Sequence, residues 1–141
     1  MKCNVCGILA IATLSLLVSV PIMSAQTIAM ASVPFAFTVA DTEMSAGNYV
    51  ITSVSDSAIV VINRSTGTSI VSLFHSEQPR NHNDTTKLVF HRYGDTYFLS
   101  QVARASGETA IQLPISKQEK EAQMQNAGSV SDKEEVVVAA K

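Results

Sequence analysis

Lys87-Leu88-Val89-Phe90-His91-Arg92-Tyr93-Gly94-Asp95-Thr96-Tyr97-Phe98-Leu99-Ser100-Gln101-Val102 holds two β-prone runs around the turn Tyr93-Gly94-Asp95. Apolar residues alternate along both runs, the spacing of strands with one buried face, and Gly94 supplies the positive φ that a tight hairpin needs. This hairpin is expected at the centre of the core, with Phe90 and Phe98 buried. It sets the fold class as all-β.

Working outward, the same signals repeat. Residues 58–63 are a continuous β-branched run, closed by Arg64-Ser65-Thr66-Gly67, and residues 68–74 follow as its hairpin partner. Val33, Phe35, Phe37 and Val39 alternate on one face of a further strand, where Pro34 cannot donate to a ladder and so marks an edge or a strand start. Residues 41–48 read as a connection with Ala46-Gly47-Asn48 as its turn, and residues 49–54 as the next strand. Residues 75–86 hold Pro79, Asn81, Asn83 and Asp84 and read as the longest loop. Residues 109–113 form a short strand ended by Pro114.

Past Pro114 the pattern becomes helical. Ser116-Lys117-Gln118-Glu119 has the form of a capping box, in which the Ser hydroxyl and the Glu carboxylate satisfy each other's backbone N–H groups. The helix is expected over residues 117–125. With only Ala122 and Met124 as apolar residues, its stability must come from docking on the domain. Residues 134–140 read as a last, valine-rich strand, expected to be paired because an unpaired Val136-Val137-Val138 would invite aggregation.

The N-terminus has another character. Lys2, the charge-free apolar run 8–20, and small residues at Ser24 and Ala25 follow the order of a secretory signal peptide. That run is shorter than the roughly 20 residues a spanning helix needs. A cleaved signal over residues 1–25 is therefore expected, with residue 31 as the alternative end, and no membrane span remains in the mature chain. Cys3 and Cys6 have C-x-x-C spacing but fall inside this segment, and no other cysteine exists to form a disulfide. Residues 26–141 suit one domain. Their nine Lys and Arg against twelve Asp and Glu show no basic block, which argues against nucleic acid as a partner.

The blocks Val33-Pro34-Phe35-Ala36-Phe37, Ala46-Gly47-Asn48-Tyr49 and Leu88 to Leu99, followed by Leu113-Pro114 and a charged helix, resemble a family of small exported β proteins common in acidobacteria. The likeness covers nearly all of the chain beyond the signal. It implies export and a shared β fold and assigns no activity. Gln112 departs from it, since a charged residue is more usual before Leu113-Pro114.

Several constellations carry possible chemistry. His75, His82 and His91 with Asp84 are ligand types that suit zinc, but their spacing matches no compact motif, so no metal is assigned. No G-x-S-x-G elbow presents a nucleophile. Asp95 and Glu108 are of the glycosidase residue type, but both fall on expected turns. No catalytic or cofactor-binding residue is assigned. Phe35, Phe37, Tyr49, Phe74, Phe90, Tyr93, Tyr97 and Phe98 either fill a sandwich core or line a cavity for an apolar ligand.

Arg92, Tyr93, Asp95 and Tyr97 form the densest polar and aromatic cluster and are the candidate interaction tip, although an Arg92–Asp95 pair more often fixes a turn than recognises a partner. The expectation is an exported bacterial protein, periplasmic or secreted. Its fold is an antiparallel sandwich or partly closed barrel of about seven to eight short strands with one C-terminal helix. It is expected to be non-enzymatic and to contact a protein or envelope component, with a small barrel carrying an apolar ligand as the alternative and a hydrolase third.

Overall fold

The computed structural model describes residues 24–78, 85–105, 107–127 and 133–141. They form β1 (Gln26–Val33), β2 (Phe37–Val39), β3 (Thr42–Met44), β4 (Gly47–Ser55), β5 (Ala58–Asn63), β6 (Ser69–Leu73), β7 (His75–Glu77), β8 (Lys87–Tyr93), β9 (Thr96–Ala103), β10 (Ala110–Gln112), α1 (Lys117–Asn126) and β11 (Glu134–Ala139). The body of the expected signal, Cys3, Cys6, His82 and Asp84 lie outside the described residues.

The strands build two sheets. The first has the order β1-β4-β5-β6; the second runs β11-β8-β9-β10-β7, with β2 pairing in parallel to β9 and carrying β3. Neither closes into a barrel, so of the two expected architectures the sandwich is the one formed. Between the sheets, Val33, Tyr49, Ile51, Ile59 and Val61 of the first meet Phe37, Val39, Leu88, Phe90, Leu99 and Val102 of the second. At about 25 cal/mol per Å² of apolar area removed from water, this layer is the main source of stability.

Among the described residues there are eleven strands, where about seven to eight were expected. β1 was hidden because Ile28 is an extra residue against β4, and this bulge breaks the alternation from which strands are read. Residues 34–36 then carry the chain from the first sheet to the second. The alternation across them survives the crossing, since Val33, Phe37 and Val39 are all buried. Residues 41–48 are more than a connection: Thr42–Met44 pairs with β2 through a turn in which Ala40 and Asp41 both have positive φ, 46° and 62°. His75–Glu77 is likewise a strand rather than loop, because the chain leaving β6 crosses at Phe74 and pairs with β10.

The central hairpin forms as expected, with Gly94 at φ 60°. Its register shifts once, leaving Ser100 of β9 without a partner residue on β8. This bulge inverts the parity of β9. Leu99 and Val102 both face the core, while Phe98 turns to the outer face and packs on Tyr93 at 5.9 Å between ring centroids. Phe98 is buried as expected, but on the opposite side of the sheet from Phe90.

At the other end of the sandwich the chain seals itself. Met30 and Lys141 exchange two backbone hydrogen bonds of 2.9 Å, and Ala31 bridges Ala140, so the C-terminus covers the outer edge of β1. Tyr49 anchors the first sheet from within. Its hydroxyl donates to the Ser45 carbonyl and accepts from Asn63 Nδ2 at 3.0 Å, while Asn63 Oδ1 takes the backbone N–H groups of Ser65 and Thr66. Asn63 is 1% exposed and fully bonded, as a buried amide must be.

Candidate functional site: the outer face of the second sheet

Side chains that alternate with the core residues of β8, β9 and β11 point away from the first sheet. On β8 these are Val89, His91 and Tyr93; on β9, Gln101 and Ala103; on β11, Glu135 and Val137. One end of this face is covered by α1. The remainder is an open cleft of about 660 Å³, reaching across β10 to His75 and Glu77 of β7.

The helix is held by polar groups. Glu119 is 3% exposed, and its Oε1 accepts from His91 Nδ1 at 2.7 Å and from the Tyr93 hydroxyl at 3.3 Å. Gln123 Nε2 donates to the same hydroxyl at 2.8 Å. The apolar residues of the helix contribute little, since Met124 is 77% exposed. Burial pushes the Tyr93 hydroxyl above its ordinary value of 10.0, and the adjacent Glu119 carboxylate pushes it the same way.

The capping box is thereby half made. Ser116 Oγ accepts from the Glu119 N–H at 3.2 Å, but the Glu119 carboxylate turns into the sheet instead of back to Ser116. A buried histidine and tyrosine offer it stronger bonds than a solvated N–H would. A different N–H of the first turn is met from another element. Asp41, in the β2–β3 turn, accepts from the Gln118 N–H at 2.9 Å, and this bond holds its carboxyl below the ordinary 3.8, with Ser116 and Lys117 adding to the effect.

The four residues of the expected interaction tip are separated by the sheet. Tyr93 lies on the outer face under α1. Arg92 and Tyr97 lie on the other face, where the guanidinium sits 5.5 Å above the Tyr97 ring and that ring stacks on Phe35 at 4.0 Å. Asp95 is exposed in the turn. Arg92 does not pair with it: Nη1 reaches Glu134 at 3.2 Å across the β8–β11 ladder, and Nε donates to the Gly94 carbonyl. The tip is a packed turn in which the polar groups of Arg92 and Tyr93 are committed to neighbours.

Other sequence candidates regroup. His75 and His91 are brought to the same cleft. Among the described residues, no three His, Cys, Asp or Glu side chains gather as metal ligands would. Asp95 and Glu108 lie at opposite ends of β9, and Glu108 is bound to Arg104. Of the cleft residues, Ser100 and Gln101 carried no signal in the sequence, and Gln112 stood out only as a departure from the resembled pattern. The bulge that re-aims Ser100 is set by pairing between strands, which periodicity does not show. Its hydroxyl accepts from Gln112 Nε2 at 3.2 Å.

No helix among the described residues is long and apolar enough to cross a membrane. Comparison with protein-family models, with curated proteins and with solved structures gives no match.

Proposed function

We propose that this chain is an exported, non-enzymatic binding module whose working surface is the cleft on the outer face of the second sheet. The observation that carries this reading is the composition of that cleft. Gln78, Ser100, Gln101 and Gln112 offer amide and hydroxyl groups, with Lys87 and Lys133 against Glu77 and Glu135 around them. A pocket of this size with converging hydrogen-bonding groups of both charges suits a polar, zwitterionic ligand, of the kind a peptide-bearing envelope component presents.

The carrier alternative has less support. The aromatic rings that would line an apolar cavity spend their faces on one another: Phe37 and Phe90 meet edge to face at 5.1 Å, and so do Phe35 and Phe90. Hydrolysis is supported less still. His91 with Glu119 supplies the base and its orienting carboxylate, but the nearest serine of the cleft bonds the Gln112 amide, and the His91 Nδ1 bond serves to dock α1.

Export is supported by the apolar run at residues 8–20, and cleavage after Ala25 by the start of β1 at Gln26. Cleavage at residue 31 would remove most of β1 and with it Ala29, a 1% exposed core residue. Native mass spectrometry of the protein purified from its own host tests both parts. The expected result is a chain beginning at Gln26 with a retained polar ligand that is lost in the double variant Gln101→Ala, Gln112→Ala. A ligand retained equally by that variant overturns the reading of the cleft.

A further inference from the structure

We propose that β6 is the seam of a homodimer, in which two copies of this chain pair their β6 strands antiparallel about a two-fold axis through Val71. The first observation is a segregation of charge. β1, β4, β5 and β6 contain no Asp, Glu, Lys, Arg or His, whereas in the other sheet β3, β7, β8 and β11 carry them and β2, β9 and β10 do not. The outer face of the first sheet is also apolar. Met30, Val50 and Ile62 are register neighbours across it, as are Val60 and Val71. Met30, Val71 and Leu73 are 46%, 60% and 66% exposed.

The second observation is the edge itself. Of the two edges of this sheet, that of β1 is covered by Lys141 and Ala140, while β6 pairs on one side alone among the described residues. An open edge is ordinarily guarded by charge, proline or a bulge. Ser69-Ile70-Val71-Ser72-Leu73 has none of these and keeps unbroken register with β5. The edge of β7, by contrast, carries His75 and Glu77.

Hydrogen-bond phase then fixes the register in which a second copy pairs. Asn63 N–H donates to the Thr68 carbonyl and Phe74 N–H to the Ser57 carbonyl, so bonded and non-bonded pairs alternate between these ends. Residues 68, 70, 72 and 74 direct their backbone groups to β5. Those of Ser69, Val71 and Leu73 point outward. An antiparallel copy centred on Val71 sets Val71 opposite Val71, and Ser69 opposite Leu73 in both directions, so every outward residue meets an outward residue. A partner for an uncharged apolar strip must itself be uncharged there, and a second copy meets that condition with an isologous surface. The seam is short, so the dimer is expected to be weak and concentration-dependent.

Sedimentation equilibrium on the chain as its cells make it, from low micromolar to near-millimolar concentration, tests this. A monomer–dimer equilibrium is expected. Val71→Lys places like charges face to face and should weaken the dimer by about tenfold or more. Val71→Glu should do the same alone, and mixing the two variants should restore a dimer. Met30→Lys, three strands from the seam, should leave it unchanged. A monomer throughout the range overturns the proposal. So does a dimer that survives Val71→Lys, or one that Met30→Lys abolishes, since that would mean stacked faces rather than paired edges. Thermal unfolding of each variant shows whether it is folded, and the paired variants keep the test open if one of them is not.

Discussion

The two sheets of this sandwich share one core and solve opposite problems on their outer faces. The first is free of charge in every strand, and its buried polar anchor, Asn63 with Tyr49, joins its two inner strands, β4 and β5. The second places charged groups on β7, β8 and β11 and uses side-chain bonds to dock a helix and border a cleft. The difference teaches that burial between sheets constrains only alternate residues. The residues between them are released for separate tasks, which in the two proposals above are association on one side and ligand contact on the other.

The largest effect expected is in the layer both sheets share. Phe90 is fully buried and touches Phe35 and Phe37, so Phe90→Ala should cost about 3–5 kcal/mol, read as a lowered denaturant midpoint. A midpoint unchanged from the parent would mean that the sheets do not share a core.

Asn63→Ala should cost about 2 kcal/mol, because it removes the amide bonds to the Ser65 and Thr66 N–H groups and takes away the donor that the buried Tyr49 hydroxyl accepts from. That loss should be global. Glu119→Gln, on the other sheet, should cost about 1–2 kcal/mol through the loss of charge-assisted bonds to His91 and Tyr93. It should be local, appearing in hydrogen exchange as lost protection in α1 with β4 and β5 unaffected. Equal loss in both places would break the distinction between an integral sheet and a docked helix.

Gly94→Ala forces alanine to φ 60° and should cost about 1 kcal/mol in thermal unfolding. The smallest effects are those of pH on helix docking. Because Asp41 titrates below its ordinary value when folded, its contribution is complete above pH 3.8 and is lost as the pH falls further. Tyr93 has the opposite sign: its raised value makes folding favourable for the protonated hydroxyl, so stability declines as the pH rises past 10.0. Asp41→Asn and Tyr93→Phe should each flatten its own limb of a stability–pH profile.

Much of the fold was legible in residue pattern. The hairpin 87–102, the run 58–74 and the strand near 134–140 obey alternation and turn chemistry, which are local properties of the chain. β1, β3 and β7 were not legible, since bulges and crossings give them no periodic signature. The site was less legible still. His91 and Glu119 stand far apart in sequence, and nothing local says that a capping-box glutamate will abandon its cap for a buried histidine.

By itself, then, the sequence determined an all-β chain with a positive-φ turn at Gly94, a helix starting at Ser116, and a set of strands without charge. Steric limits on φ, side-chain period and capping act within a few residues and need no partner strand. Only the tertiary structure decided that β1, β4, β5 and β6 are one sheet, that Ser100 and Gln112 meet, and that Glu119 is buried. Those outcomes depend on register between distant strands, which is set when the whole core closes.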